Sequence, residues 1–193
     1  MTHTQNSHKM IKLDIGCWDY PMKWFLGIDK RNLLNATYIL NLDKEKLPFG
    51  DESVDEIYSS HFLEHVQDVE SVFLEFIRVL KVWSKMKIIV PFYSSPVAFD
   101  PSHKAFFNPY SFSFYVEWKC LFKVAPTYLH YTSKPYMRFN YFKDWKDIVF
   151  KPFEFFANYC TKLYVFSFAF IFPAHEIEYN FVKIKNFKDI TDY

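Results

Sequence analysis

The sequence predicts an α/β domain built on a doubly wound, mainly parallel sheet, and two observations support this prediction. Short apolar segments recur along residues 11–92, and they end at glycine, acidic residues or proline. A strongly amphipathic helix lies between the fourth and fifth of them, as in the crossovers that join parallel strands. Because the carboxyl ends of parallel strands meet at one rim, acids that end these strands are expected where ligands bind.

Five strands and one helix are expected in this first part of the chain. The strands are predicted at 11–16, 25–29, 37–42, 54–60 and 86–92. The helix follows the fourth strand, since apolar residues recur there at intervals of three and four: Val69, Val72, Phe73, Phe76, Ile77 and Leu80. Acids near its start and bases near its end suit the helix dipole.

The pattern after residue 92 is less regular and rich in aromatic residues. Of the 43 Phe, Tyr and Trp residues, 29 follow residue 100, so we interpret 93–135 as an aromatic-rich cap inserted after the fifth strand. Three further segments would complete a seven-stranded sheet: a strand near 136–142, a helical stretch around 145–166 and an alternating strand at 176–185. The expected organisation is a single domain, 1–193, with its core at 10–92 and about 136–186.

Composition and charge exclude several classes of protein. Half of the 193 residues are apolar, 23% are charged and the net charge is +1, which is globular and offers no basic stripe for nucleic acid. The cysteines Cys17, Cys120 and Cys160 form neither a disulfide nor a zinc framework, so we expect a reducing, cytoplasmic location and no metal site. The N terminus has no apolar signal core, and the longest apolar run, 163–172, is too short to span a membrane and is read as buried.

Six short motifs stand in a fixed order along the first 92 residues. They are LDIGC (13–17), GID (27–29), LPF (47–49), SVDEI (53–57), LEHV (63–66) and RVLK (78–81). In this order and spacing they resemble the class I S-adenosylmethionine-dependent methyltransferases of the small-domain type. DPSHKAFFNPYSF, residues 100–112, is similar to the segment after the fifth strand in one branch of that family. The resemblance implies a Rossmann-like fold, S-adenosylmethionine as cofactor and methyl transfer as the reaction.

The resemblance also implies a set of cofactor contacts. Gly16 and Cys17 would offer backbone N–H groups at the strand-to-loop turn, with Asp14 near the amino-acid end of the cofactor. Asp29 ends the second strand, where a carboxylate can accept both ribose hydroxyls. Asp43 resembles the residue that meets the adenine amino group. The alternatives are a solvated turn acid for Asp29 and a helix or turn cap for Asp43.

Further contacts are expected around the fourth strand. Leu47, Ser60 and His61 complete the expected cofactor site, and His61 contacts the ligand or serves as a base. The alternative for His61 is packing or capping at the strand–helix junction. Glu64 and His65 start the following helix, where a glutamate is electrostatically favourable without any chemistry, so we expect a structural role for this pair.

His103, in the expected cap, is the best candidate for a general base. A base is needed only if the acceptor must lose a proton, because the sulfonium is an activated leaving group and in-line positioning supplies much of the catalysis. The alternative is an ordinary histidine in a turn. The expected acceptor is a small molecule, a sugar or a lipid-linked molecule. The sequence predicts neither a nucleic-acid partner nor a transmembrane segment, and it leaves the oligomeric state open, a homodimer included.

Trp18 is the residue that puts this assignment to the test. It stands two places after Gly16, where such loops carry a second small residue. The chain has only three glycines, far below the usual ~7%, so a missing glycine need not report a lost function. We expect a working loop with Trp18 at the cofactor. The alternative is a catalytically silent methyltransferase-like partner or scaffold in which Trp18 fills the site. An NAD-dependent enzyme is disfavoured, because GCWDY lacks the G-x-G-x-x-G spacing.

Overall fold

A seven-stranded sheet organises the computed structural model, which describes residues 10–115, 122–130, 155–170 and 174–185. The strands are β1 (Lys12–Ile15), β2 (Leu26–Asp29), β3 (Tyr38–Ile39), β4 (Val54–Ser60), β5 (Leu80–Pro91), β6 (Phe122–His130) and β7 (Glu176–Lys183). Their order in the sheet is β3-β2-β1-β4-β5-β7-β6. The described strands β1 to β5 pair in parallel, and β7 runs antiparallel to both β5 and β6. The expected Rossmann-like, mainly parallel sheet is therefore confirmed.

The amphipathic helix after the fourth strand is α1, Val69–Val79. Its N-cap is Asp68, whose carboxylate accepts the backbone N–H of Ser71 at 3.0 Å. Four residues of the predicted apolar face, Val72, Phe73, Phe76 and Ile77, are buried in the core, and Val69 is partly buried. Leu80, predicted on the same face, instead begins β5. Two short 3₁₀ turns, Leu63–His65 and Pro96–Phe99, follow β4 and β5. The helix forms the crossover between the parallel strands β4 and β5, and burial of its apolar face holds it in place.

A second helical segment lies near the end of the chain. Residues 155–159 are helical, and α2 (Thr161–Leu163) continues into a π-helical stretch, Tyr164–Phe168. The apolar run predicted to be buried is only partly so. Tyr164 and Ala169 are buried, whereas Leu163, Phe166 and Phe170 are exposed because helical spacing turns them to the other side. No described helix is long and apolar enough to cross a membrane.

β5 begins six residues earlier than the sequence predicts. The segment KVWSK, 81–85, precedes the strand predicted at 86–92 but lies inside β5. The pairing of β4 with β5 shifts register between Val54 and Glu56, so the strand carries an irregularity there. Trp83, within this segment, adopts a left-handed backbone with φ of 68°, a conformation that favours glycine.

β6 lies inside the segment predicted to be a cap, and this corrects the expected boundary at residue 135. Pro126 interrupts the strand pattern, and the pairing with β7 shifts register between Ala125 and Tyr128. β6 is the last strand in the sheet order, and proline is tolerated on edge strands because its missing N–H leaves no inner ladder bond broken. The strand expected near 136–142 and the thiol of Cys120 lie outside the described residues.

A buried lysine fastens β7 to the end of α1. The Nζ of Lys183 donates to the carbonyl oxygens of Ile77 at 2.9 Å and Leu80 at 2.7 Å, and it pairs with Glu52 at 3.2 Å. These carbonyls belong to the last turn of the helix, where a cation is favoured. Burial lowers the pKa of Lys183, and the carboxylate of Glu52 opposes that shift.

We predict that Trp83→Gly raises the free energy of unfolding by about 0.5–1 kcal/mol, since a left-handed backbone costs a residue with a Cβ about 1–2 kcal/mol and costs glycine almost nothing. The indole is 72% exposed, so little packing is lost. Chemical denaturation of both proteins measures the difference. Tyr20→Gly is the matched control: Tyr20 is also exposed but has no positive φ, and its replacement should lower stability. Equal destabilisation by both changes would contradict the prediction.

Candidate active site

A cavity of about 460 Å³ lies where the carboxyl ends of β1, β2 and β4 meet. In the sheet order the chain switches direction of travel between β1 and β4, and such switch points open a crevice above parallel strands. Strand ends and the loops that follow them supply the walls, among them Gly16, Asp29, Asp43, His61 and Ser102. The volume lies within the range of small-molecule sites.

The loop after β1 keeps the geometry of a glycine loop. Gly16 has φ of 73°, and a Cβ placed there would lie 2.7 Å from the Cβ of Phe62. Trp18 also has a left-handed backbone, with φ of 51°, so it occupies a conformation that favours glycine. Its side chain is 53% exposed and lines the cavity wall. Trp18 therefore forms part of the wall and leaves the cavity open.

The carboxylate of Asp29 at the end of β2 is fully engaged. Oδ1 accepts the backbone N–H of Arg31 at 3.0 Å and its Nε at 2.9 Å, while Oδ2 accepts Nη2 of Arg31 at 2.8 Å and the N–H of Trp18 at 3.2 Å. These four hydrogen bonds use all the acceptor positions of a carboxylate. Burial alone would raise the pKa of Asp29, but the hydrogen bonds and charge of Arg31 hold it below its usual range. The guanidinium also stacks on the Trp18 ring, 3.9 Å from its centroid.

Two of the residues expected at the cofactor lie beneath the loop and not in the cavity wall. Asp14 is buried, and its Oδ2 accepts the backbone N–H of Met22 at 2.7 Å, so it holds the β1–β2 connection. Burial raises the pKa of Asp14, against that hydrogen bond. The thiol of Cys17 is buried below the loop, where burial and the charges of Asp14 and Asp29 raise its pKa to about 11. Cys17 is therefore an unreactive thiol.

The other residues expected to contact the cofactor also divide into those that line the cavity and those that do not. Asp43 lies in the cavity wall, and its Oδ1 also accepts the N–H of Gln67 at 2.7 Å, which ties its loop to the segment before α1. Leu47 is buried and Ser60 half-buried, and neither lines the cavity. The N–H of Leu47 donates to Glu75 at 2.8 Å, which ties its loop to α1.

His61 lies between two buried carboxylates. Its Nδ1 is 3.2 Å from Oε1 of Glu64, and its Nε2 is 3.9 Å from Oε2 of Glu176, the first residue of β7. Burial alone would lower the pKa of His61, but the hydrogen bond and charge of Glu64, together with Glu176, raise it. The backbone of His61 is left-handed, with φ of 52°, which turns the chain at the end of β4 into the cavity wall.

His103 lies beside the cavity and against His65. The two rings meet edge to face with centroids 4.7 Å apart, and the neighbouring Ser102 and Lys104 line the cavity. The N–H of Lys104 donates to the carbonyl of Glu64 at 2.7 Å, so the loop after β5 is tied to the turn after β4. The histidines predicted as catalytic candidates, His61 and His103, thus belong to one neighbourhood.

Arg31 and Glu176 are site residues that the sequence analysis did not single out. Arg31 follows Asp29 by two residues in GIDKR, and this spacing permits the local ion pair that the structure contains. Glu176 opens the final strand, and only the antiparallel placement of β7 beside β5 brings it to the same rim as His61. The first contact had a local signal, whereas the second depends on topology.

This arrangement defines a class of protein: a doubly wound α/β domain with a ligand cavity at the switch point of its sheet. Residues 24–85, about a third of the chain, match the family model described as a methyltransferase domain. No curated protein matches the chain.

Solved structures share the fold. A SAM-dependent methyltransferase from Archaeoglobus fulgidus superposes with a TM-score of 0.60 at 16% identity, covering 90% of this chain and 86% of that one. One from Mesorhizobium loti has a TM-score of 0.53 at 13% identity, covering 91% of each chain. Phosphoethanolamine N-methyltransferase 2 of Haemonchus contortus, in complex with S-adenosyl-L-methionine, has a TM-score of 0.58 at 14% identity, covering 91% of this chain and 49% of that one.

The family-model match over residues 24–85 and the fold shared with these solved structures agree with each other. The fold and the methyltransferase-domain match also agree with the resemblance drawn from the six sequence motifs.

We predict that Gly16→Ala lowers the free energy of unfolding by about 2–4 kcal/mol, because a Cβ there meets both the left-handed backbone cost and a clash with Phe62. Urea denaturation measures the loss. Gly50→Ala is the control, since nothing lies within 4 Å of its added Cβ, and it should remain within about 0.5 kcal/mol of the unsubstituted protein. A Gly16→Ala protein as stable as Gly50→Ala would show that the loop does not pack against Phe62.

Proposed function

We propose that this protein is a class I S-adenosylmethionine-dependent methyltransferase and that it binds this cofactor in the cavity at the ends of β1, β2 and β4. The observation that carries the proposal is the convergence of Gly16, Asp29 and Asp43 on one cavity of suitable volume. The proposed acceptor is a small molecule, a sugar or a lipid-linked molecule. The net charge of +1 favours these over nucleic acid.

In this proposal Asp29 accepts the ribose hydroxyls, and Arg31 must first release it. All four acceptor positions of the carboxylate are in use, so a ribose diol replaces the guanidinium and does not add to it. The side chain of Arg31 is 39% exposed, which lets it turn into solvent without moving the backbone. The Trp18 ring, on which the guanidinium stacks, then faces the bound cofactor as an aromatic wall.

The methyl transfer itself needs few protein groups. A lone pair of the acceptor atom would form a bond to the methyl carbon while the carbon–sulfur bond breaks. The electron pair of the broken bond would stay on sulfur, which becomes a neutral thioether. The protein contributes alignment of the acceptor with that bond. His61 and His103 are the proposed bases when the acceptor atom carries a proton, since both lie on or beside the cavity.

We predict that the protein binds S-adenosylhomocysteine with a Kd below about 1 mM by isothermal titration calorimetry, and that Asp29→Asn weakens this binding about 10- to 100-fold. The reason is that a charge-assisted hydrogen bond contributes about 1.5–3 kcal/mol, and the amide lacks the charge. Asp51→Asn is the control, because Asp51 lies before β4 at the opposite rim of the sheet. Absence of heat with the unsubstituted protein at millimolar ligand would favour the catalytically silent alternative.

We predict that Arg31→Ala tightens S-adenosylhomocysteine binding about three- to tenfold, since the ligand no longer has to displace an ion pair worth about 1 kcal/mol. Lys30→Ala removes one positive charge from the same wall without freeing Asp29, and it should leave the affinity nearly unchanged. The same calorimetric titration compares the three proteins. Weaker binding by Arg31→Ala would mean that the guanidinium contacts the cofactor directly.

A further inference from the structure

Three side chains beside the cavity form a cluster that the cofactor contacts do not use. Glu64, His65 and His103 each offer one ligand atom, and these atoms all lie within 4.8 Å of one another. We infer that Glu64, His65 and His103 bind a divalent transition-metal ion at the edge of the cavity. No metal site was predicted from the cysteines. The three residues of this cluster come from two loops, Glu64–His65 and His103, that are 38 positions apart in the chain.

The buried carboxylate of Glu64 has one oxygen that needs a partner. The residue is 1% exposed, and its Oε1 is held by His61 at 3.2 Å. Its Oε2 is buried and has no hydrogen-bond partner among the described residues. An unsatisfied buried charged group costs more than the ~1–3 kcal/mol of a neutral one. A cation bound to that oxygen would remove this cost, whereas a structural role for the pair leaves it in place.

Both histidines are held in the tautomer that suits a metal. The Nδ1 of His103 lies 3.3 Å from the carbonyl oxygen of Ala98, and the Nδ1 of His65 lies 3.4 Å from the carbonyl oxygen of Ser102. A carbonyl oxygen only accepts, and the Ser102 hydroxyl, which is also 3.4 Å from Nδ1 of His65, donates its proton to Asp100 at 2.6 Å. These contacts favour the tautomer in which each Nδ1 donates its proton and each Nε2 keeps a lone pair. Metal-binding histidines characteristically donate their other N–H to a carbonyl in this way.

The two loops that provide the ligands are already fastened to each other. The backbone N–H of Lys104 donates to the carbonyl of Glu64 at 2.7 Å, and the rings of His65 and His103 are in edge-to-face contact. Metal–nitrogen bonds of about 2.1 Å keep the ligand atoms of one ion roughly 3–4 Å apart. The ligand atoms here lie within 4.8 Å of one another, so side-chain movements of about 1 Å would let all three bind the same ion. No backbone rearrangement is needed.

The ligand chemistry indicates which ion binds. Two imidazoles and one carboxylate suit Zn²⁺, Fe²⁺, Co²⁺ and Ni²⁺ better than Mg²⁺ or Ca²⁺, which prefer oxygen ligands. Three protein ligands leave positions open for water or for an oxygen of the acceptor. His65 itself lines the cavity, so those positions are next to the proposed methyl-transfer site.

The site also suggests an acceptor class, a step that rests on the proposed function. An acceptor hydroxyl on the metal would have a lowered pKa, would lose its proton to water or to His61, and would present an alkoxide or phenolate lone pair to the methyl carbon. His103, as a metal ligand, would then not serve as the base. The carbon–sulfur bond breaks as the oxygen–carbon bond forms, and the electron pair stays on sulfur. The acceptor atom would therefore be a hydroxyl oxygen.

The test is metal binding by the full chain after removal of bound ions with a chelator. Calorimetric titration with ZnCl₂ should give one site per chain with a micromolar or lower Kd, and CoCl₂ should give the visible absorption of a histidine-ligated cobalt ion. His103→Ala should weaken zinc binding about 100-fold or more, since even second-shell changes cost 10- to 100-fold. Glu64→Gln should weaken zinc binding to a similar extent. His103→Ala is the variant expected to disturb folding less, because His103 is only half-buried.

Controls separate this site from other histidines and from the proposed function. His175→Ala removes a histidine at the same rim that is outside the cluster and should leave zinc binding unchanged. Zinc affinity that is equal in His103→Ala and the unsubstituted protein, or no binding of Zn²⁺, Co²⁺ or Ni²⁺ at 100-fold excess, would overturn the inference. Because the readout needs no S-adenosylmethionine, zinc binding without cofactor binding would overturn the proposed function alone.

Discussion

The close approach of Gly16 to Phe62 is the constraint on which the cavity depends. A single added carbon at Gly16 would lie 2.7 Å from Phe62, so the end of β1 and the turn after β4 meet with no side chain between them. The N–H of Gly16 also donates to the carbonyl of Ile28 at 2.8 Å, which fastens β1 to β2. Three strand ends are thereby held together, and the loops that continue from them have to surround the same space. The glycine loop matters here for packing as much as for ligand contact.

Much of the fold could be predicted from the sequence because its signals are local. Apolar runs ending at Gly16, Asp29 and Ser60 mark the parallel strands, and three- and four-residue spacing marks α1. β6 escaped prediction because Pro126 breaks the strand pattern, and its tolerance there follows from an edge position that only the full sheet order defines. The early start of β5 escaped for a related reason, since its first residues are paired irregularly with β4.

The residues of the candidate site also divide into those with a local sequence signal and those whose position depends on the fold. Asp29, Asp43 and His61 could be placed at the rim because each closely follows or ends a strand, and all three line the cavity. Side chains that point the other way from the same loop, such as those of Asp14 and Cys17, support it from below. No local pattern reports on that choice of direction. The grouping of His61 with Glu176 depends on where β7 returns to the sheet.

Trp18 shows that a backbone conformation typical of glycine can be adopted by a residue with a large side chain. Its φ of 51°, like the 68° of Trp83, lies in the region that favours glycine, and each costs about 1–2 kcal/mol that the surrounding packing has to offset. The large side chain is accommodated because it lies at the surface of the loop and stacks with Arg31. The loop backbone therefore follows the course of a glycine loop around the cavity, and Trp18 gives the cavity an aromatic wall.

The pairing of Arg31 with Asp29 is the feature that decides whether such a wall is compatible with function. A ligand diol must compete with four hydrogen bonds, but two of them come from backbone N–H groups that also stay in place when a ligand is bound. Only the two guanidinium bonds have to break, and a partly exposed ion pair is worth about 1 kcal/mol or less in water. The freed guanidinium regains full hydration, whereas the buried carboxylate regains two hydroxyl donors. In the proposed site the exchange is therefore nearly balanced, so Arg31 would tune cofactor affinity without abolishing it.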